Sequence, residues 1–223
     1  MKLRKADALK IGALAIIFFT GLYFGYQILK PQKSLPIYNP SQLDERLVHP
    51  SIQSQGLRHR TLNFSLSNQY GETVTEKTVE GKIVIADFFF TTCPSICKDM
   101  AVQMRRLQEE FKNDTAIVLL SHSVTPVADS VSVLAEYAQR QGALKNKWHL
   151  MTGDKPQIYK LARQSYFAVL DEGGNGNEDD FIHTENFVLV DHQRRIRGFY
   201  DGTLAEDVDR LVEDVRWLLD ECD

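Results

Sequence analysis

Hydrophobic positions change period several times along the chain, and each change marks an element. Ile11 to Leu29 carries no charge and a single strongly polar side chain, Gln27. As a helix rising about 1.5 Å per residue, that run is long enough for a hydrocarbon core of roughly 30 Å, so it predicts one transmembrane helix over 11–29. Residues 30–60 are polar and interrupted by Pro31, Pro36, Pro40 and Pro50, which predicts an extended tether. From residue 61 a globular pattern takes over. Leu62–Leu66 alternates as a strand and turns at Asn68–Gly71 toward a partner near Glu72–Thr75. Ile83–Phe90 is almost continuously apolar, as a strand covered on both faces must be. Cys97–Lys112 places Met100, Ala101, Met104, Leu107 and Phe111 at helical spacing, and Ala116–Leu120 is again a buried strand.

That order is a βαβ unit, which requires parallel strands and a right-handed crossover. A helix over Ala128–Gln141, a short strand over Trp148–Met151 and a helix over Asp154–Tyr166 follow. Thr184–Val190 and Ile196–Tyr200 flank the turn at Asp191–Arg194, an antiparallel hairpin. Leu204–Leu219 closes the chain as an amphipathic helix with Leu204, Val208, Leu211, Val215 and Leu218 inward. Parallel and antiparallel pairs together predict an α/β domain over 61–223, with a mixed central sheet flanked by helices.

Charge sets the topology across the membrane. Lys2, Arg4, Lys5 and Lys10 precede the apolar run and only Lys30 and Lys33 closely follow it, so residues 1–10 stay in the cytoplasm and the domain lies on the extracytoplasmic, periplasmic side. No small-x-small cleavage site follows the run, which favours an uncleaved anchor. Net charge is −4 over the 223 residues, but the first thirty are basic, leaving the remainder at −8. A domain that acidic has no electrostatic footprint for nucleic acid. Three cysteines cannot build a disulfide framework.

Two of them can do chemistry. Cys93-Pro-Ser-Ile-Cys97 falls where the central strand meets the first helix, with Pro94 suited to the first helical position and Cys93 to its cap. Spacing of i, i+4 puts both sulfurs on one face of a helix N-terminus, where unpaired N–H groups favour the thiolate needed to attack a disulfide or bind a soft metal.

The aromatic strand end, Thr-x-Cys-x-x-x-Cys opening a helix, and a distant His183-Thr184 leading into an apolar strand resemble the Sco/SenC proteins. Met151–Tyr159 and the basic-flanked N-terminal segment add to the likeness. The resemblance implies a thioredoxin-like fold on a membrane anchor, with copper held by Cys93, Cys97 and His183. It also implies delivery to a copper-accepting subunit of a respiratory oxidase, at the dinuclear copper centre assembled in cytochrome c oxidase. Other copper carriers or thiol reductants would be further partners. Two thiolates and an imidazole suit Cu(I) and are compatible with Cu(II). Two residues depart from the pattern: Ile182 stands where the family carries an acid, and Lys98 where many members carry proline.

Two other readings stay open. The first is a thiol–disulfide oxidoreductase that keeps an acceptor's cysteines reduced, with Cys93 as nucleophile and Cys97 resolving. Asp87, six positions before Cys93, would then be the proton acceptor, as in the similar thioredoxin run; a hydrogen-bonded structural role is the alternative. The second is a redox or copper sensor. Among the remaining histidines, His122 is read as a polar loop residue or as lining the site, His149 as packing locally, and His49, His59 and His192 as lying in tether or turn. Residues 171–180 read as a solvated acidic loop without the order of a calcium site, and Cys222 as a free terminal thiol.

Overall fold

The computed structural model describes residues 5–29, 34–43, 48, 59–169 and 184–222. The chain forms two compact units, Met1–Ser34 and Leu35–Asp223. The first contains helix α1, Lys5–Leu29, on which Leu14, Ile16, Ile17, Phe18 and Phe19 are 62–68% exposed. Among the described residues no helix is long and apolar enough to cross a membrane. The side chains of Ile11, Gln27 and Ile28, which belong to the apolar run, are not among those described.

The second unit is built on one seven-stranded mixed sheet. Its strands are β1 (Ser65–Asn68), β2 (Thr73–Thr75), β3 (Ile83–Phe89), β4 (Ile117–Ser123), β5 (Trp148–Thr152), β6 (Asn186–Val190) and β7 (Ile196–Asp201), in the spatial order β2-β1-β5-β4-β3-β6-β7. The three central strands β3, β4 and β5 are parallel, and β1, β6 and β7 add antiparallel edges. β3 is buried at every position because both of its faces are covered. On one face Ile83, Ile85 and Phe89 pack with α2 (Ile96–Phe111), with Leu134 and Tyr137 of α3 (Val131–Gln141), and with Val208, Leu211 and Val215 of α5 (Ala205–Cys222). On the other face Val84, Ala86 and Phe88 meet Phe64, Ile158, Tyr159 and Tyr166. Each fully buried aliphatic side chain contributes about 1.5–3 kcal/mol.

Several boundaries differ from expectation for identifiable reasons. α3 starts at Val131 because the Ser130 side chain caps it, accepting from Val133 N. The helix expected over Asp154–Tyr166 is α-helical only as α4, Lys155–Lys160, capped by Asp154. It then widens to a π turn over Leu161–Ser165, with Tyr166 N donating to Leu161 O at 2.8 Å. The widened turn leaves Ser165 available, and it bonds Leu62 N through its hydroxyl and His59 Nε2 through its carbonyl. His59 is therefore a buried part of the domain, its ring tilted against Phe167 at 4.5 Å, and not a tether residue. Residues 35–43 likewise join the second unit: Tyr38 pairs with Ile196, and Arg197 bonds the carbonyls of Leu35 and Pro36. Leu204 is 55% exposed instead of inward; it lies one residue before α5, and its carbonyl accepts from Val208 N.

Candidate metal centre

Strand β3 runs into the loop Phe90–Ser95, and the first turn of α2 follows. Pro94 and Cys93 do not open the helix as expected; Ser95 precedes its first residue, Ile96, and Cys97 lies inside the first turn. Cys93 instead closes a tight turn, its N–H donating to Phe90 O at 3.3 Å. The two thiols still meet, hydrogen-bonded to each other, but only Cys93 is held toward the thiolate. Both thiols are free, both are 6% exposed, and both belong to the same apolar cluster. Lys98 points to solvent.

The two sulfurs are inequivalent. Burial works against the Cys93 thiolate, but hydrogen bonds from the Cys97 thiol and from backbone and hydroxyl groups at Ser95 and Cys97 outweigh it and hold Cys93 below the ordinary thiol range. Burial pushes Cys97 up to about 12, and its bond to Cys93 adds to that. An activated sulfur beside a protonated one is the asymmetry that thiol exchange requires.

Behind Cys97 lies a cavity of about 10 Å³, room for no more than one water, lined by Asp87, Ser121, Tyr137 and Trp148. Asp87 lines the same cavity as Cys97 and is structurally bonded: Ser121 Oγ donates to Asp87 Oδ1 at 2.5 Å and Trp148 Nε1 donates to Ser121 Oγ at 2.8 Å. Burial raises the Asp87 carboxyl to about 7, with the Ser121 bond opposing.

His122 does not join this site. It lies within β4, buried on the opposite face of the sheet, stacked on Phe88 at 4.8 Å and edged by Phe64 and Tyr166. Its Nδ1 bonds Asp87 O at 3.1 Å, its Nε2 has no partner, and burial lowers its pKa to about 4. The apolar pattern around Ser121-His-Ser123 extended the strand past the point where those polar residues implied a loop. His149 packs locally as expected, with Nδ1 3.3 Å from Asn68 Nδ2.

Linkage between Asp87 and His122 gives a testable pH profile. Asp87 is raised from 3.8 to about 7, so its contribution to stability is full below pH 3.8 and falls, by about 1.4 kcal/mol per pH unit, up to pH 7. His122 is lowered from 6.5 to about 4, so its contribution is full above 6.5 and falls as pH drops to 4. Between pH 4 and 6.5 these two slopes oppose, so the pair together adds little net pH dependence. Relative to the wild type, Asp87→Asn should then lose stability on acidification through that window and His122→Gln should lose it on alkalisation; urea unfolding of all three at four pH values measures both.

His183, Ile182 and residues 171–180 lie outside the described residues, as does the Cys222 side chain. Among the described residues no three His, Cys, Asp or Glu side chains converge as a metal site. What the structure brings together is the thiol pair, with Asp87 behind it. Sequence reasoning missed a second group beside it: Asp129, 1% exposed, accepts from Thr91 N, Thr91 Oγ1, Ser123 Oγ and Thr125 Oγ1. Three hydroxyl residues clustered around one acid in Ser123–Asp129 and at Thr91 were the available signal.

Comparison with known proteins bears on this arrangement. The SCO1 protein homolog of Bacillus subtilis (strain 168) is 29% identical over 162 residues, covering 72% of this chain and 83% of that protein. Among solved structures, BsSco, described as having a disulfide switch and as a member of the Sco family of cytochrome c oxidase assembly proteins, matches with TM-score 0.62 and 27% identity over 73% of this chain and 94% of that one. Arabidopsis thaliana ScoI with copper bound matches with TM-score 0.55 and 26% identity over 70% and 98%. These likenesses confirm the thioredoxin-like α/β fold with a mixed sheet. The SCO1/SenC family model matches residues 53–220, a span that holds every strand of the sheet and both clustered cysteines, and the chain belongs to that family.

Proposed function

We propose that the chain is a membrane-anchored copper carrier that holds the metal through Cys93, Cys97 and His183 and delivers it to the dinuclear copper centre of cytochrome c oxidase during assembly. The observation that carries this reading is the free, nearly buried thiol pair at the junction of β3 and α2, in a family whose solved members include copper-bound ones. Two soft sulfur donors favour Cu(I), and a third ligand from imidazole leaves the shell open to exchange. Copper is cargo here. It would pass to the acceptor's thiols through shared-sulfur intermediates as His183 lets go.

Anchoring is part of the proposal. Helix α1 covers the apolar run, its large side chains face outward, and basic residues crowd its N-terminal side, which supports a cytoplasmic N-terminus and an extracytoplasmic domain. A transfer assay tests the function: the chain loaded with Cu(I) is mixed with the apo copper-binding domain of an oxidase subunit, and copper on each is measured after separation. Movement of most of the copper to the acceptor supports delivery, and retention on the chain contradicts it.

A second reading is favoured by a separate observation, the lowered Cys93 and raised Cys97 thiols beside Asp87. In that role Cys93 thiolate attacks an acceptor disulfide and releases one thiol. Cys97, its proton passed to Asp87, then resolves the mixed disulfide and releases the second. Cys93–Cys97 ends oxidised and the acceptor reduced by two electrons. The same pair serves both roles, because oxidation removes both sulfur ligands.

A further inference from the structure

We infer that Asp129 is the positioning residue of the cysteine loop, acting through Thr91, a role that deepens the proposed use of the thiol pair. Thr91 occupies the turn that Cys93 N closes onto Phe90 O at 3.3 Å. Both hydrogen-bond donors of Thr91 end on Asp129: its N–H donates to Oδ2 at 3.2 Å and its hydroxyl to Oδ1 at 2.5 Å. The same carboxylate accepts from Ser123 Oγ at 2.5 Å and Thr125 Oγ1 at 3.0 Å. One acid therefore ties the loop after β3 to the loop after β4. No basic side chain forms an ion pair with it among the described residues, so the four hydrogen bonds are what satisfy the buried acid.

Asp129 does not touch sulfur. Its effect on the pair comes from fixing the turn that carries Cys93, while Cys97 is fixed independently in α2. Two groups held on separately anchored segments have a high effective concentration for each other, and freeing one segment lowers it. An amide at this position removes the charge that strengthens all four hydrogen bonds and puts a donor where the Thr91 hydroxyl donated.

The test is the exchange of the reduced chain with glutathione disulfide, in which Cys93 and Cys97 give two protons and two electrons, one internal S–S bond forms and two glutathione thiols are released. A Cys222→Ser background confines the exchange to this pair. Asp129→Asn should lower the equilibrium constant at least tenfold, Thr91→Val about threefold, and Thr91→Ser should match the wild type because it keeps the hydroxyl. In the Asp129→Asn background Thr91→Val should add little. Unchanged constants in both single variants, with only the thermal midpoint lowered, would overturn the assignment, as would a full Thr91→Val effect in the double variant. If Asp129→Asn does not fold, the Thr91→Val and Thr91→Ser pair decides alone. Copper binding by the wild type is measured on the same preparation: its absence would remove the carrier reading and leave the exchange series to decide Asp129.

Discussion

Asp191→Ala should cost about 3–5 kcal/mol of stability, the loss expected when one partner of a buried ion pair is removed and Arg197 keeps only the exposed Glu221. Asp191 follows directly on β6 with its side chain fully covered, and Arg197 in β7 is 3% exposed. The carboxylate accepts from Gln193 N at 3.0 Å, Arg195 N at 2.9 Å, Arg195 Nε at 2.7 Å and Arg197 Nη1 at 3.0 Å, so it closes the β6–β7 turn and neutralises a buried guanidinium at once. Arg197 passes the constraint on, donating to Leu35 O and Pro36 O, bonding Glu221 and lying over the Trp217 ring. Urea unfolding should show the loss, and hydrogen exchange should show residues 35–43 losing protection with it. Removing both partners with Asp191→Leu and Arg197→Met should cost less than Asp191→Ala, because no charge is then stranded. A single-variant cost under about 1 kcal/mol, the range of exposed pairs, would show that the network is not buried in solution.

Serine at Cys93 and Cys97 together should weaken Cu(I) binding by at least about 10⁴-fold, roughly 5.6 kcal/mol at 1.4 kcal/mol per decade, since no soft donor remains among the proposed ligands. His183→Ala should separate the oxidation states. Cu(I) keeps both thiolates and should lose about tenfold to a hundredfold, whereas Cu(II), which needs the imidazole more, should lose its thiolate absorption band. Competition against a Cu(I) chelator and a visible titration with Cu(II) check the two arms. Equal effects of His183→Ala on both ions would mean that the histidine serves the fold instead of the metal.

The sheet was legible because its strands differ in kind. A run such as Ile83–Phe89 has no polar face and must sit centrally, and the helical spacing of Met100, Met104, Leu107 and Phe111 leaves no other way to cover it. Boundaries were less legible wherever a polar side chain found a tertiary partner. Ser121, His122 and Ser123 read as loop yet extend β4, since Asp87, Phe88 and Asp129 satisfy or cover them. Residues 35–43 read as tether because the proline-broken pattern hides that Arg197, 161 positions from Pro36, bonds their carbonyls. In the site, the cysteine pair was evident from spacing alone. The physical cause of its asymmetry was not, because it lies in burial and in the groups at Ser95 and Cys97 that hydrogen-bond Cys93. For Asp129 only the nearby hydroxyls of Ser123 and Thr125 were a signal, since Thr91 is 38 positions away and meets it where the loops after β3 and β4 adjoin.

X-ray absorption at the copper edge, on the full reduced chain in detergent loaded with one equivalent of Cu(I), tests the central claim most directly. The account predicts one copper per chain with two sulfur neighbours and an imidazole nitrogen, the nitrogen absent in His183→Ala and both sulfurs absent when Cys93 and Cys97 are serine. A wild-type spectrum with no sulfur in its nearest shell, or copper that washes out as readily as from the serine variant, would contradict it.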